Sequence, residues 1–116
     1  MRRVCGEISH IFPQHTDVME KVCEDISRLP GVEKIVLFGS YAKGTAEPDS
    51  DVDLAVFFCA QEECLVEQYR ALCRICANPA LDIQAQPFHA YELLQPCGII
   101  EEVVTYGIEL RVKQVK

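Results

Sequence analysis

Three acidic residues of this 116-residue chain are spaced so that they could act on a phosphate ester together. Asp51 and Asp53 stand two positions apart at the start of an apolar segment, and Asp82 interrupts a second apolar segment. On a strand, residues two apart leave the same face, about 7 Å from one another. Carboxylates that close repel each other unless a hard divalent cation with oxygen ligands lies between them. A solvated acidic turn is the competing interpretation, but a charge inside an apolar strand is costly unless it is paired, metal-bound or exposed.

A Gly-Ser pair lies upstream of these acids. Gly39 and Ser40 follow the apolar run at residues 35–38 and are predicted to open a short helix. Glycine allows a ligand to approach the backbone, serine adds a hydroxyl, and a helix N-terminus presents N–H groups to an anion. Most Gly-Ser pairs are ordinary turns. Together with three carboxylates, however, this pair would form a two-metal site for phosphoryl or nucleotidyl transfer.

Apolar periodicity and turn residues predict the elements that must position this site. We expect an α+β fold, an α/β sandwich in which helices pack on one face of a mixed β-sheet, formed by one domain over residues 1–116. The predicted helices cover residues 16–29, 61–77 and 91–106, the last with an interruption at 96–98, and the predicted strands cover 35–38, 51–58, 81–88 and 108–112.

Composition limits the classes of partner. Eleven Lys and Arg against eighteen Asp and Glu give a net charge of −7, which makes a nucleic-acid partner unlikely. No apolar run approaches the roughly 20 residues of a membrane span, and the first residues lack the apolar stretch of a secretory signal. We therefore expect a cytoplasmic protein without a membrane partner.

The seven cysteines are predicted to be reduced thiols, mostly in the core. Cys73 and Cys76 form a C-x-x-C pair, but no second pair completes a tetrahedral metal site, so core packing is the favoured interpretation. Tyr69 on the same helix is also predicted to be core. Gln84 and Gln86 share the face of Asp82, and lining a pocket or facing water are equally open for both.

The combined motif resembles that of the minimal nucleotidyltransferases, or MNT proteins, of the DNA polymerase β superfamily. Gly39-Ser40, ten intervening residues and Asp51-Val52-Asp53 match the family pattern of Gly-Ser followed by Asp-x-Asp. Residues 42–44 match its Ala-Arg-Gly with Lys for Arg, and residues 106–110 resemble its last helix-to-strand turn.

This resemblance implies the fold of the polymerase β-like nucleotidyltransferases, with a nucleoside triphosphate as substrate and two Mg²⁺ ions as cofactors. The later acid, Asp82, falls where the family places its third acid, and it would help to activate the acceptor hydroxyl. The implied site residues are Gly39, Ser40 and Lys43 for phosphate binding, and Asp51, Asp53 and Asp82 for catalysis and metal ligation.

The family also implies a function and a partner. MNT proteins are often paired with a HEPN-domain protein, so the expected reaction moves NMP, most simply AMP from ATP, onto a tyrosine of a HEPN toxin in a hetero-oligomer. The chain would then be an antitoxin that acts by adenylylation. Two alternatives stay open: a binding module that neutralises a HEPN ribonuclease by contact, and a small-molecule transferase of the aminoglycoside type.

Overall fold

Five strands form one mixed sheet. The structure, a computed structural model, describes residues 2–5, 8–47, 49–59 and 65–111. The strand order is β1-β5-β2-β3-β4, in which β1 pairs with β5 and β3 with β4 in parallel, while β2 is antiparallel to both of its neighbours. The strands are β1 (Arg2–Cys5), β2 (Val32–Phe38), β3 (Val52–Phe58), β4 (Ile83–His89) and β5 (Ile108–Arg111).

Helices cover both faces of this sheet. Alternate residues of β2 point to opposite sides, because Ile35 and Leu37 pack in one apolar cluster while Val36 and Phe38 pack in another. The first cluster contains buried residues of α1, α2 and α4, and the second contains those of α5. The helices are α1 (Ile8–Ile11), α2 (Thr16–Ser27), α3 (Ser40–Lys43), α4 (Val66–Cys76) and α5 (Ile99–Tyr106), with a 3₁₀ helix at Ala90–Leu94.

The predicted α+β class is confirmed, and three details differ from the sequence prediction. Strand β1 and helix α1 had no predicted counterpart, and α5 lies on the face opposite the other long helices. The helix predicted over residues 61–77 is observed as Val66–Cys76, with Leu65 and Ala77 as non-helical cap residues. Residues 61–64 lie outside the described part of the chain, as does the predicted strand end at 112. No described helix combines the length and hydropathy that crossing a membrane requires.

The prediction that the C-x-x-C cysteines and Tyr69 are core residues is right for Cys76 and wrong for Cys73 and Tyr69. Cys76 is buried with Leu72, whereas Tyr69 is 51% exposed and Cys73 is exposed as well. Positions 72 and 76 form one helical stripe and positions 69 and 73 the adjacent one, and only the first stripe faces the sheet. Cys64 lies outside the described residues, as does the side chain of Cys5.

An ion pair between a buried glutamate and a partly exposed lysine on neighbouring strands yields a stability prediction. Glu109 on β5 is 6% exposed, and Lys34 on β2 places its Nζ 3.5 Å from the Glu109 Oε1. Lys34→Ala removes this cation from a carboxylate that stays buried, so we expect the free energy of unfolding to fall by about 1–3 kcal/mol. Lys21→Ala is the control, because Lys21 pairs with Asp25 at the surface and such pairs contribute about 0–1 kcal/mol. Urea denaturation of both variants tests this, and equal midpoints would contradict it.

Candidate functional site

Asp51 and Asp82 lie side by side at one end of the parallel pair β3 and β4. Val52 is in register with Ile83, and the Val52 N–H donates to the Asp82 carbonyl oxygen at 2.8 Å. Each acid is the residue just before the first paired residue of its strand, so the register itself brings the two side chains together. Both side chains are exposed, and Asp82 is close enough to Asp51 to affect its ionisation. The prediction that both acids lie inside their strands is wrong by one residue in each case.

The surroundings of Asp51 and Asp53 raise the pKa of both carboxyl groups. The hydrogen bond and the negative charge of Asp82 raise the pKa of Asp51 above its ordinary value. Partial burial is the main cause that raises the pKa of Asp53, and the charges of Asp51, Glu102 and Asp82 add to it. The structure thus brings together the three acids that the sequence singled out, in a cluster whose negative charge opposes its own ionisation.

Gly39 lies against this cluster. Its neighbour Phe38 pairs with Asp53 across β2 and β3, and the backbone of Gly39 has a φ of +76° and a ψ of −153°. A Cβ atom at this position would lie 2.4 Å from the Asp53 Oδ2. Glycine is therefore required here for a reason that the sequence did not reveal: the Asp53 carboxylate occupies the space that a side chain would need.

The Gly-Ser segment has the predicted local structure. Strand β2 ends at Phe38, Gly39 precedes α3, and Ser40 is the first residue of that short helix. Helix α3 ends at Gly44, whose φ of +75° is left-handed, and the Thr45 N–H returns to the Ser40 carbonyl oxygen at 2.9 Å. These turns hold α3 beside Asp53, at the edge of the acid cluster.

Lys43 of α3 is joined to α5. Its ammonium forms an ion pair with Glu102 and lies 5.1 Å from the centroid of the Tyr106 ring. The hydrogen bond that the ammonium donates to Glu102 raises the pKa of Lys43 above its ordinary value. Sequence reasoning missed Glu102, because nothing in the spacing of α5 shows that this helix lies close to Lys43. A phosphate that approached Lys43 would compete with Glu102 for the ammonium.

Gln84 is a second residue whose place the sequence left open. Its Nε2 donates to the Asp82 Oδ1 at 2.9 Å, and Gln84 and Asp82 line the same cavity. Of the two interpretations that the sequence allowed, the structure therefore favours lining a pocket. The hydrogen bond orients the carboxylate of Asp82.

The donor chemistry of the acid cluster suits a hard divalent cation. Neighbouring negative charges contribute to the raised pKa of Asp51 and of Asp53, and a cation such as Mg²⁺ would neutralise such a group of carboxylate oxygens. Among the residues that the structure describes, no three His, Cys, Asp or Glu side chains form a group that could hold a metal ion by themselves. Mg²⁺ is usually held by one or two carboxylates together with substrate phosphates, so the residues present fit binding that depends on a nucleotide.

Two cavities contain residues near the site. One has a volume of about 410 Å³ and is lined by Tyr41, Lys43 and Gly44 of the α3 segment together with Ile11 and Ile108. The other has a volume of about 320 Å³ and is lined by α4 and the start of β4, including Asp82. Of the three acids, Asp82 alone lines one of these two cavities.

Known proteins resemble this chain over most of its length. A candidate protein adenylyltransferase of Methanocaldococcus jannaschii is 28% identical over 98 residues, which cover 81% of this chain and 96% of that protein. A solved structure of a candidate nucleotidyltransferase from Sulfolobus solfataricus is 16% identical with a TM-score of 0.64, covering 89% of this chain and 85% of the other. A toxin–antitoxin structure with AMP-PNP is 24% identical with a TM-score of 0.55, covering 84% of this chain and 73% of the other.

A match to a sequence model of a protein family assigns this chain to that family. The model of the nucleotidyltransferase domain matches residues 11–112, a range that includes α3, the acid cluster and α5. The two solved structures share the fold, an α+β arrangement of helices on a mixed sheet. This chain belongs to the nucleotidyltransferase domain family and is a nucleotidyltransferase.

Proposed function

We propose that this nucleotidyltransferase moves AMP from ATP onto a tyrosine hydroxyl of a protein partner, a HEPN-domain toxin, and thereby acts as its antitoxin. One observation carries the proposal: Asp51 lies against Asp82, and Asp53 lies beside this pair. The three acids are next to the short helix that begins at Ser40. The similarity to a candidate protein adenylyltransferase and to a toxin–antitoxin structure with AMP-PNP supports the choice of nucleotide and partner.

The metal ligands in this proposal are Asp51, Asp53 and Asp82, which would hold two Mg²⁺ ions together with the triphosphate. The ions would supply charge stabilisation for the departing pyrophosphate and for the phosphorus under attack. Gly39 and Ser40 would bind the β- and γ-phosphates, where the first N–H groups of a helix have no acceptor within the helix.

The chain's own groups account for the movement of the proton. Asp82, oriented by Gln84, would accept the proton of the acceptor hydroxyl. The hydroxyl oxygen then forms a bond to the α-phosphorus, the bond from that phosphorus to the bridging oxygen breaks, and pyrophosphate leaves with the electron pair. Lys43 would exchange Glu102 for a phosphate oxygen and act as a point charge.

Charge favours a protein over a nucleic acid as the acceptor. A net charge of −7 repels a phosphate backbone, whereas it complements a basic surface such as that of an RNA-binding toxin. The five described cysteines are all free, which suits the reducing cytoplasm that we propose as the compartment. The pair would form a hetero-oligomer for as long as the transfer requires.

Incubation with α-labelled ATP and Mg²⁺ tests the proposal, with the protein encoded by the adjacent reading frame as acceptor. We expect label on that protein and, by mass spectrometry, one added AMP on a tyrosine. A partner that gains no AMP under these conditions contradicts the proposal. If that unmodified partner is nevertheless inhibited, neutralisation by contact replaces it.

A further inference from the structure

Helix α5 provides two partners for the ammonium of Lys43. One is the carboxylate of Glu102, which forms an ion pair with it, and the other is the Tyr106 ring, whose centroid lies 5.1 Å from the Lys43 Nζ. Glu102 and Tyr106 are four positions apart, so they lie on the same face of the helix. The ammonium of Lys43 is therefore engaged by a carboxylate and an aromatic face of its own chain.

Glu102 also lies close to the acid cluster. Its negative charge is one of those that raise the pKa of Asp53, so a single carboxylate of α5 acts on both the cation of α3 and an acid of β3. The side chains of Lys43 and Glu102 are both partly exposed, which leaves their ion pair open to an approaching ligand. Ion pairs of this kind are weak, so Lys43 can exchange Glu102 for a better anion.

A triphosphate beside α3 would meet opposite effects from Lys43 and Glu102. Lys43 attracts a phosphate as a point charge, whereas Glu102 repels it and neutralises the cation that would bind it. Electrostatic interactions in water are screened only beyond about 8 Å at physiological ionic strength. A carboxylate that pairs with Lys43 therefore acts on any phosphate that Lys43 contacts.

We propose that Glu102 limits the affinity of this protein for its nucleotide, because it competes with the triphosphate for Lys43. The proposal rests on the phosphate-binding role that the proposed function gives to Lys43, and it adds the group that opposes this role. Glu102 is a positioning residue in this scheme, since it acts through Lys43 and touches no substrate. A residue that merely joined α5 to α3 would favour binding by maintaining the site, whereas Glu102 weakens it.

Removing the charge of Glu102 tests the proposal. Titration calorimetry with α,β-methylene-ATP and Mg²⁺ measures binding alone, because the α–β bridge of this nucleotide cannot be cleaved. We expect the Kd of Glu102→Gln to be about threefold to tenfold lower than that of the wild type. An unchanged or higher Kd would overturn the proposal.

Glu101→Gln is the matched control for this measurement. Glu101 is exposed on the same helix, about 100° from Glu102 around the axis, and the substitution makes the same change of charge. Its Kd should stay within about twofold of the wild type, since solvent and salt screen an exposed charge. If Glu101→Gln binds the nucleotide as tightly as Glu102→Gln does, net charge replaces competition as the explanation and the proposal fails.

A double-mutant cycle shows whether the effect passes through Lys43. In a Lys43→Gln background, the change of Glu102 to Gln should alter the Kd by less than about twofold, because no ammonium is left to release. The full gain in that background would overturn the proposal. AMP transfer to the partner separates this proposal from the proposed function. A lower Kd for Glu102→Gln without any transfer by the wild type refutes the function and leaves the role of Glu102 standing, and transfer by the wild type with no gain in affinity does the reverse.

Discussion

Asp51→Asn and Asp53→Asn should each reduce AMP transfer by roughly 10²–10³-fold without lowering the melting temperature. The loss follows because an amide is a poor ligand for a hard cation, and in our proposal both carboxylates hold Mg²⁺. The melting temperature should stay the same or rise, since Asp82 raises the pKa of Asp51, and partial burial followed by the neighbouring acids raises the pKa of Asp53. A raised carboxyl pKa means that the ionised form is disfavoured in the folded protein at neutral pH, so the neutral amide removes a repulsion.

The control for this result lies in the same loop. Asp49 is exposed and affects Asp51 only through its charge, so Asp49→Asn makes the same chemical change outside the proposed ligand set. It should retain transfer within about threefold, which a change of about 0.65 kcal/mol in the barrier would produce. Radiolabel transfer and thermal melting, measured on the three variants, test whether Asp51 and Asp53 are the metal ligands. Wild-type transfer by Asp53→Asn would exclude Asp53 as a metal ligand.

Gly39→Ala should reduce both stability and transfer. An alanine at a φ of +76° and a ψ of −153° is strained by roughly 1–3 kcal/mol, and its Cβ would lie 2.4 Å from the Asp53 Oδ2. The carboxylate must therefore move. A displacement of about 1 Å in a catalytic group can lower a rate about 10²-fold, so we expect a loss of that order.

Gly44→Ala separates the effect of backbone strain from that of the steric contact with Asp53. Gly44 has a φ of +75°, but a Cβ there would meet no atom within 4 Å, so this variant should lose only about 1–2 kcal/mol and little transfer. Adding Asp53→Ser to Gly39→Ala should recover part of the lost stability and none of the transfer. Denaturant unfolding and label transfer measure both effects. If Gly39→Ala and Gly44→Ala behave alike, the contact with Asp53 does not matter.

Local spacing in the sequence was sufficient to predict much of the site. Alternation along an apolar strand predicted that Asp51 and Asp53 share a face, and the strand before Gly39 and the helix at Ser40 lie where the sequence predicted them. These features depend on residues within about fifteen positions of one another. Their periodicity and turn chemistry therefore appear in the chain itself.

Only the tertiary structure decided how distant segments meet. The contact of Asp51 with Asp82 depends on the register of β3 with β4, and the ion pair of Lys43 with Glu102 depends on α5 lying near the end of α3. Local patterns contain neither a register nor the relative position of two helices, because both result from burying whole faces of the sheet. For the same reason, α5 lies on the opposite face from α2 and α4, since the second face of the sheet is apolar as well.

The side chains around the cavity between α4 and β4 show the same division. The sequence identified α4 as amphipathic, but a stripe at positions 72 and 76 and its neighbour at 69 and 73 are equally apolar in the chain. Packing against β4 buries the first stripe and leaves Tyr69 and Cys73 at the edge of a cavity. The sequence by itself determined which residue types could carry out nucleotidyl transfer. Which of them touch one another, and which line the space beside Asp82, was decided by long-range packing, because burial is a property of the whole fold.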